Sequence, residues 1–137
     1  MAWLLLSASG MIDGLFNQAN YAATKRLLDA TALRQQAISS NIANLETPNY
    51  KRIDVDPIFE TSLSKAMTSQ DTSAIAEAPL HLARDLTATA ANRDGNTVQL
   101  DREMAALGEN TLSHNLETQL LTGSMLRMRL AITGRTS

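Results

Sequence analysis

Ten residues between Leu100 and Ile132 fall four and three apart in unbroken alternation: Leu100, Met104, Leu107, Thr111, His114, Thr118, Leu121, Met125, Met128 and Ile132. Steps of four and three average close to the turn of an α-helix, so these side chains share one narrow stripe of a single helix; a strand would scatter them over both faces. Thr111, His114 and Thr118 make the middle of the stripe polar. A second row, Leu112, Leu116, Leu120, Leu126 and Leu130, broadens it. Asp101 and Glu103 at the start and Arg127, Arg129 and Arg135 near the end suit the helix dipole, and Gly134 is a natural stop. The pattern predicts a helix over residues 98–134. Its seam, with Leu100, Met104, Leu107, Leu121, Met125, Met128 and Ile132 as the apolar members, must pack on another helix, of this chain or of a neighbouring copy.

The first third of the chain supplies a possible partner. From Ile12 to about Asn44 there is no proline and Gly14 is the only glycine. Phe16, Ala19, Ala23, Leu27 and Ala30 step by three or four, and Leu28, Thr31, Ile38, Ile42 and Leu45 continue an apolar face. A helix of about 30 residues, about 45 Å long, is expected here. Pro48 ends it, since proline has no N–H and drives the preceding residue out of the α region. Asn49 suits the turn that follows, because asparagine tolerates positive φ.

The middle is weaker in pattern. Ile53 and Val55 alternate with polar residues, which predicts a short extended segment, and "PIFETSLSKAM" reads as a short helix with Pro57 at its first turn. "TSQDTSAIAEAP" reads as a mobile loop, "LHLARDLTATA" as a strand or irregular arm, and "NRDGN" as a turn. The fold class is therefore mainly α: long N- and C-terminal helices forming a coiled-coil-like pair around a small irregular or extended middle. The expected divisions are a tail at 1–10, the first helix within 11–47, the middle at 48–97 and the last helix within 98–134. The tail, "MAWLLLSASG", is too short in its apolar run for a signal peptide and lacks a basic lead; with Met11 following directly, a functional start near Met11 is expected, the alternative being a frayed apolar N-terminal tail. It is also too short to span a bilayer.

Composition narrows the function. The chain has 137 residues, 44% hydrophobic but 4% aromatic, so its core is built mostly from Ala and Leu and is thin. A net charge of −2 without a basic face argues against nucleic acid as a partner. The absence of cysteine removes disulfides, thiolate metal sites and thiol nucleophiles. His81 and His114 do not cluster with acids at metal-ligand spacing. His114 reads as a seam histidine and His81 as a loop residue with a hydrogen-bonding role. Asp54 and Asp56 share one side of an extended segment and read as a solvated edge rather than an acid–base pair. No nucleophile elbow or phosphate-binding glycine loop is present. No catalytic residue, cofactor or metal is expected.

The run "NIANLETPNYKR" is more specific. Asn41, Ile42, Ala43, Asn44, Thr47, Pro48, Tyr50 and Lys51 resemble the signature N-[IL]-A-N-x-x-T-P-G-Y of the bacterial flagellar axial family, the rod and hook proteins, with Asn49 in place of the glycine. "DGNTVQLDREMAALGENTLSHNLETQLLTGSMLRMRLAITG", from Asp94 to Gly134, is similar to the end of a short rod member, with its D-G-N-x-V-x-x-D-x-E entry into the last helix and an asparagine near the position of Asn110. The resemblance implies a structural subunit of the basal-body rod. It further implies export from the cytoplasm by the flagellar type III apparatus without a cleavable signal peptide. It implies assembly in the periplasm, through the terminal helices, into a helical tube with other rod subunits and adjoining basal-body components. It implies that Phe59 and Leu63 form a Phe-x-x-x-apolar element read by the export gate, a spacing equally suited to packing in a short helix. Asn41 and Asn44 are then expected as contact or capping groups at a subunit corner, with Pro48 and Asn49 setting the exit direction. The alternative to a rod subunit is a soluble helical adaptor or chaperone-like module using the same faces.

Overall fold

The computed structural model describes residues 2–90 and 93–133, with the backbone alone at 2–13 and 15–17. Phe16's side chain, Gly134 and Arg135 lie outside what is described. Two long helices dominate: α1 over Ala2–Ala43 and α4 over Leu100–Thr133. Between them come β1 (Ile53–Val55), α2 (Ile58–Ser69), α3 (Thr72–Ala76) and β2 (Leu82–Arg84).

The long helices pair antiparallel. Asn41 meets Glu103, Gln35 meets Asn110 and Thr31 meets Glu117, so residue numbers fall on one helix as they rise on the other. The helix α1 starts at Ala2, well before the expected Ile12, and leaves the α-helix at Ala43, five residues before Pro48. Turns at Asn44 to Leu45 and Asn49 at φ 59° finish the reversal, as its tolerance of positive φ predicts.

The small core sits on the alanine stripe of α1. Ala19, Ala23 and Ala30 are buried with Val55, Phe59, Leu63, Ala66, Ile75 and Ala78. Small side chains on α1 let α2 and α3 approach closely, and Phe59 supplies bulk that the alanines lack. Pro57 occupies the N-cap of α2, and Gln70, at φ 53°, ends that helix with its N–H on Met67 O. The "mobile loop" expectation for "TSQDTSAIAEAP" is not met. Asp71 caps α3 by accepting from the N–H groups of Ser73 and Ala74, and Ile75 is fully buried. One isoleucine in a polar run is too little periodicity to announce a helix of five residues.

The strands β1 and β2 form a two-stranded antiparallel sheet with Ile53 opposite Arg84 and Val55 opposite Leu82. Asp56 N–H donates to His81 O and Asp85 N–H to Arg52 O, so Ile53 and Val55 present their backbone groups to the other edge, toward α1. That edge is closed by a side chain rather than a third strand.

Candidate functional site

The side chain that closes it is Asn41. It is fully buried, donates to Ile53 O at 2.9 Å and accepts from Ile53 N–H at 3.0 Å. One amide thus takes both backbone groups of Ile53, as a neighbouring strand would. The same Nδ2 donates to Glu103 Oε2 at 3.1 Å, and Tyr50 OH reaches Asn41 Oδ1 and Ser40 Oγ. Asn41 is therefore an internal strut and not a contact group on the surface, which corrects the expectation for it. Asn44 does act locally, donating to Ser40 O at 2.8 Å and accepting from Thr47 Oγ1.

Glu103 is fully buried and binds Arg52 Nε at 2.6 Å. Arg52 also meets Asp54 at 2.9 Å and Asp85 at 2.8 Å, while Arg102 reaches Asp85 at 3.1 Å. Burial works to lower the pKa of Arg52, but the hydrogen bond and charge of Glu103, with those of Asp54, outweigh it and hold the pKa above its ordinary value. Burial likewise works to raise Asp85. Hydrogen bonds from Thr87 and the charges of Arg52 and Arg102 outweigh it and keep that carboxyl below the usual range. Asp54 also pairs with Arg34, and Asp56 with His81 at 3.1 Å, so neither is the freely solvated acid expected.

A second strut seals the end of α1. Asn96 is fully buried, and its Nδ2 lies 2.9 Å from the carbonyls of Asn44, Leu45 and Thr47, in the turn that follows α1. Its Oδ1 accepts from Val98 N–H. Lys51 Nζ donates to Gly95 O at 2.6 Å, and Asn49 N–H to Asp94 O at 2.9 Å. Gly95 sits at φ 77°, where a Cβ would lie 2.6 Å from Asn49 Oδ1. Of the signature residues, Asn41, Asn44, Thr47, Tyr50 and Lys51 thus converge on one corner that joins the start of α4 to the end of α1. Ile42 is half-buried, and Ala43 and Pro48 are exposed. Reasoning on the sequence missed Arg52, Asp85, Asn96 and Glu103 as members. The signal present was "DGN" at residues 94–96, read only as a turn, and an acidic residue in the first turn of α4, read only as a dipole partner.

Away from the corner, the contact between the long helices is polar. Asn110 is buried and donates to Thr31 O at 3.0 Å and Gln35 Oε1 at 3.1 Å. Thr31 Oγ1 lies 3.1 Å from Glu117 Oε2 and 3.2 Å from His114 Nδ1. Burial pushes the Glu117 carboxyl up, against the opposing pull of Thr31, His114 and Arg34. Glu103 and Asn110 are the buried residues of α4.

The expected seam meets α1 only in part: its His114 reaches Thr31, but the buried positions of α4 are Glu103 and Asn110. Leu107 and Leu121 are partly buried, but Leu100, Met104, Met125, Met128 and Ile132 are exposed, Ile132 at 86%. The leucine row is bare as well: Leu112 is 71% exposed, and Leu116, Leu120, Leu126 and Leu130 are exposed with it. At 100° per residue, Leu112 and Leu130 stand about 160–200° around the helix from Asn110, on the side away from α1. Phe59 and Leu63, 1% and 7% exposed, are core residues in the folded chain.

Among the described residues, no group of three or more histidine, aspartate or glutamate side chains is placed to hold a metal ion. A cleft of about 450 Å³ beside Arg52 is lined by Arg34, Asp54, Asp85 and Arg102, charges already paired with one another. No described helix is long and apolar enough to cross a membrane.

Comparison with known proteins agrees with a structural role for this architecture. Residues 28–51, the second half of α1 and the signature, match the family described as flagella basal body rod protein. The chain is 33% identical over 113 residues to the flagellar basal body rod protein FlgB of Borreliella burgdorferi, covering 69% of this chain and 82% of that protein. It is 31% identical over 117 residues to FlgB of Yersinia enterocolitica (74% and 84% covered) and 28% identical over 117 residues to FlgB of Escherichia coli K12 (74% and 83% covered). With the signature folded into a buried corner and identity of this extent over most of both chains, this chain belongs to the FlgB family of flagellar basal body rod proteins.

Proposed function

We propose that this chain, a structural subunit of the flagellar basal-body rod, joins neighbouring subunits through the apolar outside of α4. The observation that carries the reading is an inversion of the usual helix pair. The face of α4 turned to α1 holds Glu103, Asn110 and Glu117, while the leucine row Leu112, Leu116, Leu120, Leu126 and Leu130 is left to solvent. Apolar surface of this length on a helix gains about 25 cal/mol per Å² on burial, so association favours covering it. The exposed seam members Leu100, Met104, Met125, Met128 and Ile132 lie on another side of the helix, Met128 five turns beyond Asn110 and in line with it. A contact repeated head to tail between different patches propagates as an open helix instead of closing, which is the geometry of a rod.

In this reading the corner of Asn41, Arg52, Asn96 and Glu103 fixes the angle at which α4 leaves the subunit. The partners are other rod subunits and adjoining basal-body components, and the site of assembly is the periplasm, reached by flagellar type III export. Phe59 and Leu63 are inaccessible once α2 is docked, so an export gate reads them only in the unfolded chain.

The test is substitution of Leu116 and Leu120 by Asp. The doubly substituted chain is expected to keep the circular dichroism of the parent and to lose motility and incorporation into basal bodies. Normal motility would overturn the reading. So would a parent chain that forms a closed dimer and never joins rod partners, the behaviour of an adaptor.

A further inference from the structure

One side of α4 is a palindrome in its chemistry. Glu109, Ser113, Leu116, Leu120, Gly123 and Arg127 step by four and three, so they share a stripe about 27 Å long. At 100° per residue the stripe is centred about 100° around the helix from buried Asn110, off the face that meets α1. Glu109, Leu116, Leu120 and Arg127 are exposed, and Ser113 and Gly123 are half-buried. From the midpoint between the two leucines, each direction gives a leucine, then a small residue, then a charge. The charge is an acid toward the start of the helix and a base toward its end. Among the described residues neither Glu109 nor Arg127 has an ion-pair partner; Arg127 Nη2 meets Ser124 Oγ of its own helix at 3.4 Å.

Two helices that present this stripe to each other run either parallel or antiparallel. In a parallel pair in register, Glu109 faces Glu109 and Arg127 faces Arg127, and both ends repel. In an antiparallel pair, Glu109 faces Arg127, Ser113 faces Gly123 and Leu116 faces Leu120, because each couple lies equally far from the midpoint. Acid then meets base at both ends, leucine meets leucine in the middle, and the small residues let the backbones approach. We infer that two copies of this chain close on each other through this stripe as an antiparallel dimer. The contact is isologous, so it is complete at two copies and does not propagate. Charges within a helix seam set register and orientation more than they add affinity. Glu109 and Ser113 also edge a cleft of about 420 Å³, so this side of α4 is open to approach. One consequence rests on the rod contact proposed above: with Leu116 and Leu120 at its centre, the dimer covers part of the surface a rod neighbour would take, and a chain leaves the pair before it assembles.

The full chain tests this, and its lack of cysteine admits single reporters. The parent is expected to sediment as a dimer that dissociates on dilution. Glu109→Arg and Arg127→Glu, each keeping the circular dichroism of the parent, are expected to weaken the dimer about tenfold or more. The chain carrying both reversals is expected to return to within about threefold of the parent, since acid again meets base. Oxidation of Ser113→Cys chains mixed with Gly123→Cys chains is expected to give linked dimers that neither gives alone. A parent that sediments as monomer throughout would overturn the pair. So would a double reversal no tighter than the single ones, or Ser113→Cys chains that link to one another in place of Gly123→Cys. The rod contact is read separately, from motility of the chain with Leu116 and Leu120 replaced by Asp. A monomeric parent, with that chain non-motile, removes the dimer and keeps the rod contact; a dimeric parent, with that chain motile, does the reverse.

Discussion

Single residues at the corner carry consequences out of proportion to their size, because each is buried and polar. Glu103 neutralises a guanidinium that is itself 4% exposed. Glu103→Ala leaves Arg52 charged and partly unpaired in the interior, and the expected loss is about 3–5 kcal/mol in urea unfolding. Arg52→Met together with Glu103→Leu should recover most of that loss, since an apolar pair leaves no stranded charge. Asn96→Ala removes the buried amide that donates into the turn after α1, where Leu45 O depends on it most, and should cost about 1–3 kcal/mol. Asp85 gives the corner an acid limit. Its folded-state pKa is depressed, so its contribution is present above the unfolded carboxylate value, about 3.9, and is lost as pH falls through the folded one. The urea midpoint of the parent should fall below about pH 4, and Asp85→Asn should show less of that fall.

At the scale of elements, α2 and α4 make opposite use of their apolar residues. Phe59 and Leu63 anchor α2 on the alanines of α1. Phe59→Ala is expected to cost about 3–5 kcal/mol, read from denaturant unfolding. Its effect on secretion separates two roles. A destabilised chain is no harder to export unfolded, so reduced secretion of Phe59→Ala would report recognition of the Phe59 and Leu63 element, while unchanged secretion would leave them as core residues alone. The leucine row of α4, Leu112 to Leu130, is left exposed by the subunit. Leu116→Asp is expected to shift monomer stability by no more than about 0.5 kcal/mol, measured by urea unfolding. The short α3 was invisible to periodicity, since a helix of five residues spans hardly more than one turn; its Asp71 cap and Ile75 anchor act only once α1 is beneath them.

For the molecule as a whole, the buried contacts of α4 concentrate at one end. The corner, the sheet and α2 surround the junction of α1 and α4, whereas the buried residues of α4 stop at Asn110. Hydrogen exchange on monomer should therefore find amides from Leu121 to Thr133 less protected than those from Leu100 to Asn110, with protection returning on assembly. Uniform protection along α4 in the monomer would contradict this. Under the proposed contact, folding and assembly are linked through α4.

The sequence by itself determined that the chain is two long helices around a short middle, that α1 ends before Pro48, and that Asn49 turns the backbone. These are local matters of helical period, a missing N–H and a tolerated φ. It also carried the family signature, although not what the signature does. Tertiary structure alone decided which face of α4 meets α1. With leucine and methionine on several sides, that helix has no unique seam in its pattern. The choice fell to polar groups with partners across the helix pair: Glu103 on Arg52 and Asn41, and the Asn110 Nδ2 on Thr31 and Gln35. Those partners lie 51 to 79 residues apart in the chain, so no local pattern could pair them. An unsatisfied buried charge costs more than an exposed leucine, and that difference turned the apolar side of α4 outward.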